Sequence, residues 1–569
     1  MSAEIDGHDS SSDQHPLLRL QEILTSISKA FECGNISQSD NSVAELVKFL
    51  DSVSDPIESD SKNASEILAE IHEFLCTPSL DQAIIDSLSF ELPKAVTKFA
   101  GLSSSCSEIA NSIIDKLVAT CSPRDMLSIL CERRHFEQAK VAVPVILKVL
   151  KTVSLEEDDE NRECQHLFDQ AIGIADAIRQ EGRMNEKLRA LLGLYVLQIM
   201  VLVSVSMDHK SPRCIPLVSQ LSGFLPYCHL SYLGLISGND VDTMTSLVVG
   251  DNEDDFMSCL SNVEQGASLS VIWGSMSDQV VQAAGEDLTA LKGELQSNQT
   301  KKWQAIAMLK HIFPSRKLSW EFKKHAIDFL LHITDGNNYQ KSDSDHSDFA
   351  SNMPSVFAAL QGVIMVIMYA QSSTLRKNAF DALKRVIAEV PYSEKFDVLK
   401  ALMTNCDSSS MIAVLLDIVR QEVLKERNKR KSIGNEEVQQ GENEACPNTF
   451  FWPAVVLELV DLVLKPSTGG PPPLPEYGDA VLSALNLYRF VLLMELKEEN
   501  NSEVLSKSNL KKAYNEWLLP LRTLLTGIAA ENKDDYDRLA VDTECTLNPI
   551  VLVLYRCIEL VEDKLKQFA

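Results

Sequence analysis

The side chains that could do chemistry are few and stand apart. His72 and Glu73 are neighbours on one predicted helix. An imidazole beside a carboxylate can pass a proton, but adjacent positions on a helix read first as a solvated pair. Cys131, Arg133, Arg134 and His135, within CERRHF, bring a thiol near cations that would lower its pKa. The plainer reading of that run is a helix end with exposed cations. The stretch Lys425–Lys431 (KERNKRK) sets five basic residues at the end of a predicted helix in a strongly acidic chain. Three uses are open for it: complementing the helix C-terminus, acting as a nuclear import signal, or docking an acidic partner surface. The loop Pro466–Tyr477 (PSTGGPPPLPEY) offers an SH3 or WW ligand, with a mobile connector as the simpler reading.

The sequence holds no phosphate loop, no Gly-x-Gly-x-x-Gly, no Gly-x-Ser-x-Gly and no His-Glu-x-x-His. There are 13 cysteines and no Cys-x-x-Cys. Cys228–His229 and Cys545…Cys557 lack a matching second half, so zinc is not expected. No catalytic, metal or cofactor site is expected, and an enzyme would have to rest on Cys131 alone.

The elements that must carry these residues read as helices throughout. Pro16 stands in the first turn of an opening helix, with Leu17, Leu20, Leu24 and Ile27 on one face. Val43–Leu50, Ala64–Leu75, Leu80–Phe99, Pro123–Cys131 and Val141–Val153 continue the series, separated by short breakers. After Ser373 the pattern sharpens. Leu375, Ala379, Leu383, Val386 and Val390 form a stripe that Pro391 stops. Phe396, Leu399, Leu402 and Met403 face inward on the next helix. Ser408–Ser410 caps a third, striped by Ile412, Leu415, Leu416, Val419 and Val423. Pro453 opens an apolar helix to Leu464, and Asp479 caps Ala480–Leu496. Pro520 kinks the following helix, and Pro549 starts the last. No sustained period-two alternation occurs. The expected fold is all-α, a HEAT-like or armadillo-like solenoid of stacked antiparallel helix pairs, because neither helix of a pair can bury its stripe alone.

Composition agrees with this. Of 569 residues, 45% are apolar and only 6% aromatic, which suits helix-on-helix packing. A net charge of −28 argues against nucleic acid and anionic membranes as ligands. Ala190–Met207 and Pro354–Ala370 approach membrane length but carry central glutamines, Gln198 and Gln361, and read as buried helices. Residues 1–15 are Ser/Asp-rich, without the pattern of a secretory signal, and are expected to be disordered. The scattered thiols then belong in a reducing compartment. The expected layout is a helical region over 16–334, a mobile polar linker over 335–350 and a second helical region over 351–569.

Asp479–Leu493 (DAVLSALNLYRFVLL) followed by Trp517–Leu525 (WLLPLRTLL) resembles the C-terminal region of the glomulin family. Met411–Lys431 is similar to the segment that precedes it there, and Leu191–Val203 and Leu225–Asp242 look like the family's plant member. The resemblance implies a HEAT-like, non-enzymatic inhibitor without a cofactor. Its C-terminal region would clasp the RING-box subunit of a cullin–RING (SCF-type) ubiquitin ligase, with its cullin, and mask the surface where the ubiquitin-conjugating enzyme docks. In a plant it implies control of lateral root formation and hormone signalling. The nucleus and cytoplasm are the expected locations. Carried onto this sequence, the contact helices are Met411–Lys431 and Asp479–Leu496. The partner-binding candidates are Lys425, Arg427, Lys429, Arg430, Asn486 and Arg489. The alternative is a general HEAT-like scaffold or transport adaptor.

Overall fold

The computed structural model describes residues 16–33, 36–53, 61–78, 80–99, 102–120, 186–206, 214–249, 262–335, 345–436, 453–466, 469–498, 503–532 and 538–568, with isolated positions between 168 and 179. Cys131, Arg133, Arg134 and His135 lie outside the described residues, as do residues 1–15 and the helices expected at 123–131 and 141–153. No strand occurs among the described residues. The described residues are all-α, and the contacts of the chain divide it into two compact units, Met1–Ile333 and Thr334–Ala569.

The first unit begins with α1 (Pro16–Glu32), α2 (Ile36–Val53), α3 (Ser61–Leu75), α4 (Gln82–Phe99) and α5 (Ser104–Thr120). Leu20, Leu24 and Ile27 of the opening stripe are buried. Next comes α6 (Glu186–Ser206), which is buried from Ala190 through Val203. A helix apolar on every face must be enclosed on every face, and here α7 (Cys214–Ser222), α9 (Asn239–Val249) and α10 (Val263–Met276) pack on it. Between α7 and α9 lies the short α8 (Tyr232–Ser237). The Gln198 side-chain oxygen accepts the Asn262 N–H (3.3 Å), which satisfies one end of its buried amide. Gly266 makes the closest approach, because a Cβ there would lie 2.1 Å from the Leu197 carbonyl oxygen. The unit closes with α11 (Asp278–Ala283), α12 (Leu288–Ser297), α13 (Gln299–Met308) and α14 (Trp320–Ile333).

The second unit holds α15 (Asp345–Tyr369), α16 (Ser373–Glu389), α17 (Tyr392–Thr404), α18 (Ser409–Glu436), α19 (Pro453–Leu464) and α20 (Gly478–Glu498). It ends with α21 (Lys507–Ala513), a π-helical turn at Tyr514–Leu518, α22 (Leu519–Asn532) and α23 (Arg538–Lys566). Residues 345–350, expected in the linker, are the first turns of α15, while 336–344 lie outside the described residues. By length and composition, Glu186–Ser206 and Phe349–Tyr369 could each cross a membrane. The first is buried, whereas the second leaves Met365 and Tyr369 exposed.

One proline assignment changes. Pro549 does not start the last helix but lies inside α23, which begins at Arg538. It is exposed, so water can satisfy the carbonyl its missing N–H leaves free. Around Pro520 the chain widens into the π turn that runs into α22.

Candidate partner-binding surface

The helices expected to meet a partner, α18 and α20, begin side by side. The Ala480 N–H donates to Ser409 Oγ (3.1 Å), and Ser410 Oγ donates to Asp479 Oδ2 (2.5 Å). Asp479, expected to cap its own helix, therefore sits in the first turn of α20 and accepts from the neighbouring helix. The cap at Ala480 comes from Ser409 instead. Within α18, Ser408 Oγ accepts the Met411 N–H (3.3 Å), the local cap that the sequence announces.

Starting together and packing along their length, α18 and α20 run parallel. The helix α23 continues the layer in the same direction. Ile550 lies beside Gly478, and further along the Cys557 thiol points at the Leu485 carbonyl (3.6 Å). Burial pushes that thiol up to about 12, against the opposing field of Arg489. Between these helices the chain returns through α19 and through α21 and α22. Trp517 Nε1 donates to Asp461 Oδ1 (2.6 Å), while adjacent Glu516 pairs with Lys465 (2.7 Å). The π turn thus lets two consecutive residues reach one face of α19.

Val481, Leu485, Tyr488 and Leu492 are all buried, as their stripe requires. Asn486 and Arg489 lie at its margin, half-buried. Arg489 Nε is enclosed with no hydrogen-bond partner, so only the end of its guanidinium is offered outward. Counted from the Ser409–Ala480 contact, the end of α20 at Glu498 is level with Arg427. Helix α18 continues to Glu436, roughly nine residues or ~14 Å further. The basic run therefore straddles the end of α20, with only its last residues on the overhang, and it stops short of the end of α18. Residues 432–436 are helical as well. This removes the ground for treating the cluster as a simple C-terminal complement.

The six candidates do not form one patch. Asn486 and Arg489 lie midway along α20. Lys425 and Arg427 lie where α20 ends, and Lys429 and Arg430 are on the helical backbone beyond, their side chains outside the described residues. Lys425 is exposed, and its Nζ meets Glu422 Oε1 one turn back on the same helix (2.7 Å). The other oxygen of Glu422 meets Lys395 Nζ of α17 (3.3 Å), and the Lys395 and Glu422 side chains are only 6% and 9% exposed. Lys395 also donates to the Ala388 carbonyl (3.2 Å). This buried pair was absent from the reading of the sequence, although a signal for it exists. Lys395 falls on the stripe of Leu399 and Leu402, and Glu422 on that of Leu415 and Val419, so opposite charges sit at core positions of successive helices.

The Pro-rich loop is not an extended ligand over its described part. Residues 469–477 bend and turn, Pro472 is buried, and the Tyr477 N–H donates to the Pro473 carbonyl (3.0 Å). His72 Nε2 faces Cys76 Sγ (3.7 Å), one turn along α3. Among the described residues no group of three His, Cys, Asp or Glu side chains could hold a metal ion.

Comparison with known proteins bears on the same helices. A family model described as an uncharacterised protein family, YAP/Alf4/glomulin, matches residues 38–192 and 329–557. Aberrant root formation protein 4 of Arabidopsis thaliana is 43% identical, and the alignment covers 100% of this chain and 96% of that protein. Glomulin of Mus musculus is 23% identical over 167 residues, covering 29% of this chain and 25% of the relative. Among solved structures, a circular tandem repeat protein with novel repeat topology and enhanced subunit contact surfaces aligns over 97% of both chains. Its identity is 12% and its TM-score 0.27, a likeness too slight to carry an argument.

Proposed function

The chain belongs to the YAP/Alf4/glomulin family, and from that membership we propose that it is a non-enzymatic regulator of cullin–RING ubiquitin ligases. In this reading its second unit binds the RING-box subunit, with its cullin, and masks the docking surface of the ubiquitin-conjugating enzyme. In a plant the consequence is control of lateral root formation, in keeping with the name of the Arabidopsis relative. The observation that carries the proposal is the family match over 329–557, which spans the parallel layer α18, α20 and α23 and the basic overhang. A rigid helical layer suits steric competition, because inhibition then needs only burial of a shared site and no chemistry. Lys429, Arg430 and Arg427 supply charge at the rim, and Asn486 and Arg489 supply polar contacts further along α20. The protein acts in the nucleus and cytoplasm, where these ligases work.

The test uses full-length protein and a purified RING–cullin pair. Binding at micromolar concentration or tighter is expected, with inhibition of ubiquitin transfer relieved by excess conjugating enzyme. No binding in that range overturns the proposal. Binding without competition against the conjugating enzyme returns the protein to a scaffold.

A further inference from the structure

The first unit carries a basic feature of its own, on the turn between α13 and α14. From residue 295 to residue 327 the chain has seven lysines and arginines and a single carboxylate, Glu321, although the whole chain has a net charge of −28. The fold sorts those seven cations. Lys302 and Lys323 are buried, and Lys301 pairs with Glu294. Lys310 is half-buried. Arg316, Lys317 and Lys324 are exposed, and Trp320 stands exposed among them.

The turn holds these groups in fixed places. Leu318 and Phe322 are buried on either side of Trp320 in the chain. The Phe322 ring meets Trp273 of α10 edge-on, with ring centres 5.3 Å apart. Ser319 Oγ accepts the Phe322 N–H (3.2 Å), and the Ser319 carbonyl accepts the Lys323 N–H (3.1 Å). Lys323 Nζ lies 4.8 Å from the centre of the Trp320 ring, which secures the indole, yet Trp320 remains 38% exposed. It is the one exposed tryptophan among the described residues. Lys324 follows it by one helical turn, on the same face of α14. Arg316 precedes it by four residues, a chain length that spans ~14 Å at most. Immediately before Arg316, Pro314 and Ser315 wall a surface cavity of about 340 Å³ with Asn262, Glu264, Gln265 and His311. There Glu264 is engaged by His311 Nε2 (3.2 Å).

We propose that this turn docks an acidic segment of a protein partner, with its carboxylates on Arg316, Lys317 and Lys324 and an apolar side chain on Trp320. Tryptophan and arginine are the residue types that most often dominate an interface, and here the anchored turn presents them already ordered, which lowers the cost of binding. The cavity beside Arg316 gives the segment a recess for a neutral side chain. Screening over about 8 Å at physiological salt confines each surface charge to its neighbourhood, so the turn attracts a short acidic segment despite the net charge of the chain. A nucleic acid or an anionic membrane extends past the turn and meets the acidic remainder.

Full-length protein is titrated against a labelled degenerate peptide library with one fixed leucine and a run of fixed glutamates, and against the same library with glutamines in their place. Fluorescence anisotropy is the readout. The glutamate library is expected to bind about tenfold tighter at low salt, and the preference to shrink as salt rises. Arg316→Glu, Lys317→Glu and Lys324→Glu together remove the preference, whereas reversing Arg427, Lys429 and Arg430 leaves it. Trp320→Ala weakens the binding of both libraries. Should the first triple reversal lower the melting temperature, Arg316→Gln with Lys317→Gln, both at exposed positions, decides in its place. Equal affinity for the two libraries overturns the proposal, as does a preference that survives the first reversal or disappears with the second alone. A single-stranded oligonucleotide that binds tighter than the glutamate library, and loses that advantage in the first reversal, gives the surface to nucleic acid and overturns the protein partner. A gain in affinity when Asp251, Glu253, Asp254 and Asp255 are changed to amides gives it to the chain's own acidic run, and overturns the partner as well.

Discussion

At the scale of single residues, Lys395 of α17 and Glu422 of α18 are charges that hold the fold. Removing one member of a buried pair strands the other, which costs about 3–5 kcal/mol, whereas replacing both with apolar groups of similar size is often neutral. Glu422→Gln is therefore expected to lower the melting temperature by several degrees, and the double change Lys395→Met with Glu422→Leu to recover most of it. Calorimetry on the three proteins decides. Lys425 leans on Glu422, so reversing its charge would confound stability with binding. Arg427, Lys429 and Arg430 carry the remaining charges of the proposed surface. Reversing these three is expected to weaken RING-box binding about tenfold, since exposed contacts contribute about 0.2–1 kcal/mol each. The loss should fall on the association rate and shrink with salt. Association kinetics at two ionic strengths, with circular dichroism as the folding control, measure it. Wild-type kinetics at low salt would return the cluster to a solvated helix face.

At the scale of elements, two contacts set how closely helices pack. Gly266 lets α10 meet the backbone of α6, and Gly266→Ala forces a methyl group onto the Leu197 carbonyl. A loss of about 1–3 kcal/mol is expected from that overpacking, read as a lower denaturant midpoint. Ser409 caps α20 from outside it, and Ser409→Ala is expected to cost about 1 kcal/mol, with hydrogen exchange rising at the start of α20 more than along α18. The sequence made most of these helices legible, because stripes such as Leu375–Val390 and the serines before Met411 are local signals. The cap on Ala480 was not legible, since its partner lies 71 residues away, and Asp479 offered a plausible local substitute. Pro549 misled for a related reason. Proline marks a missing donor, but surroundings decide whether a helix breaks, widens or tolerates it. The candidate site was legible as helices and as a charge cluster. Its division along α18 and α20 was not, because parallel register is a tertiary fact.

At the scale of the whole molecule, the two units each enclose their own core, and the second contains every helix assigned to the partner surface. A fragment covering 334–569 is expected to give a helical circular dichroism spectrum and a single cooperative melt, and to retain RING-box binding within about threefold of the full chain. A fragment that folds but does not bind would move the partner surface into the first unit.

The pairing of α18 with α20 also has a mechanical side. Ser409 and Ser410 fasten the two helices at one edge, as stitching holds the pages of a book. Further along, the buried side chains are mostly apolar, such as Val419 and Val423 on α18 and Val491 and Leu492 on α20, and apolar surfaces slide and tilt more readily than capped backbone does. Load applied to the overhang of α18 would therefore open the pair as a fan about its stitched edge. The basic residues at the tip would travel furthest, and the capped end would hardly move.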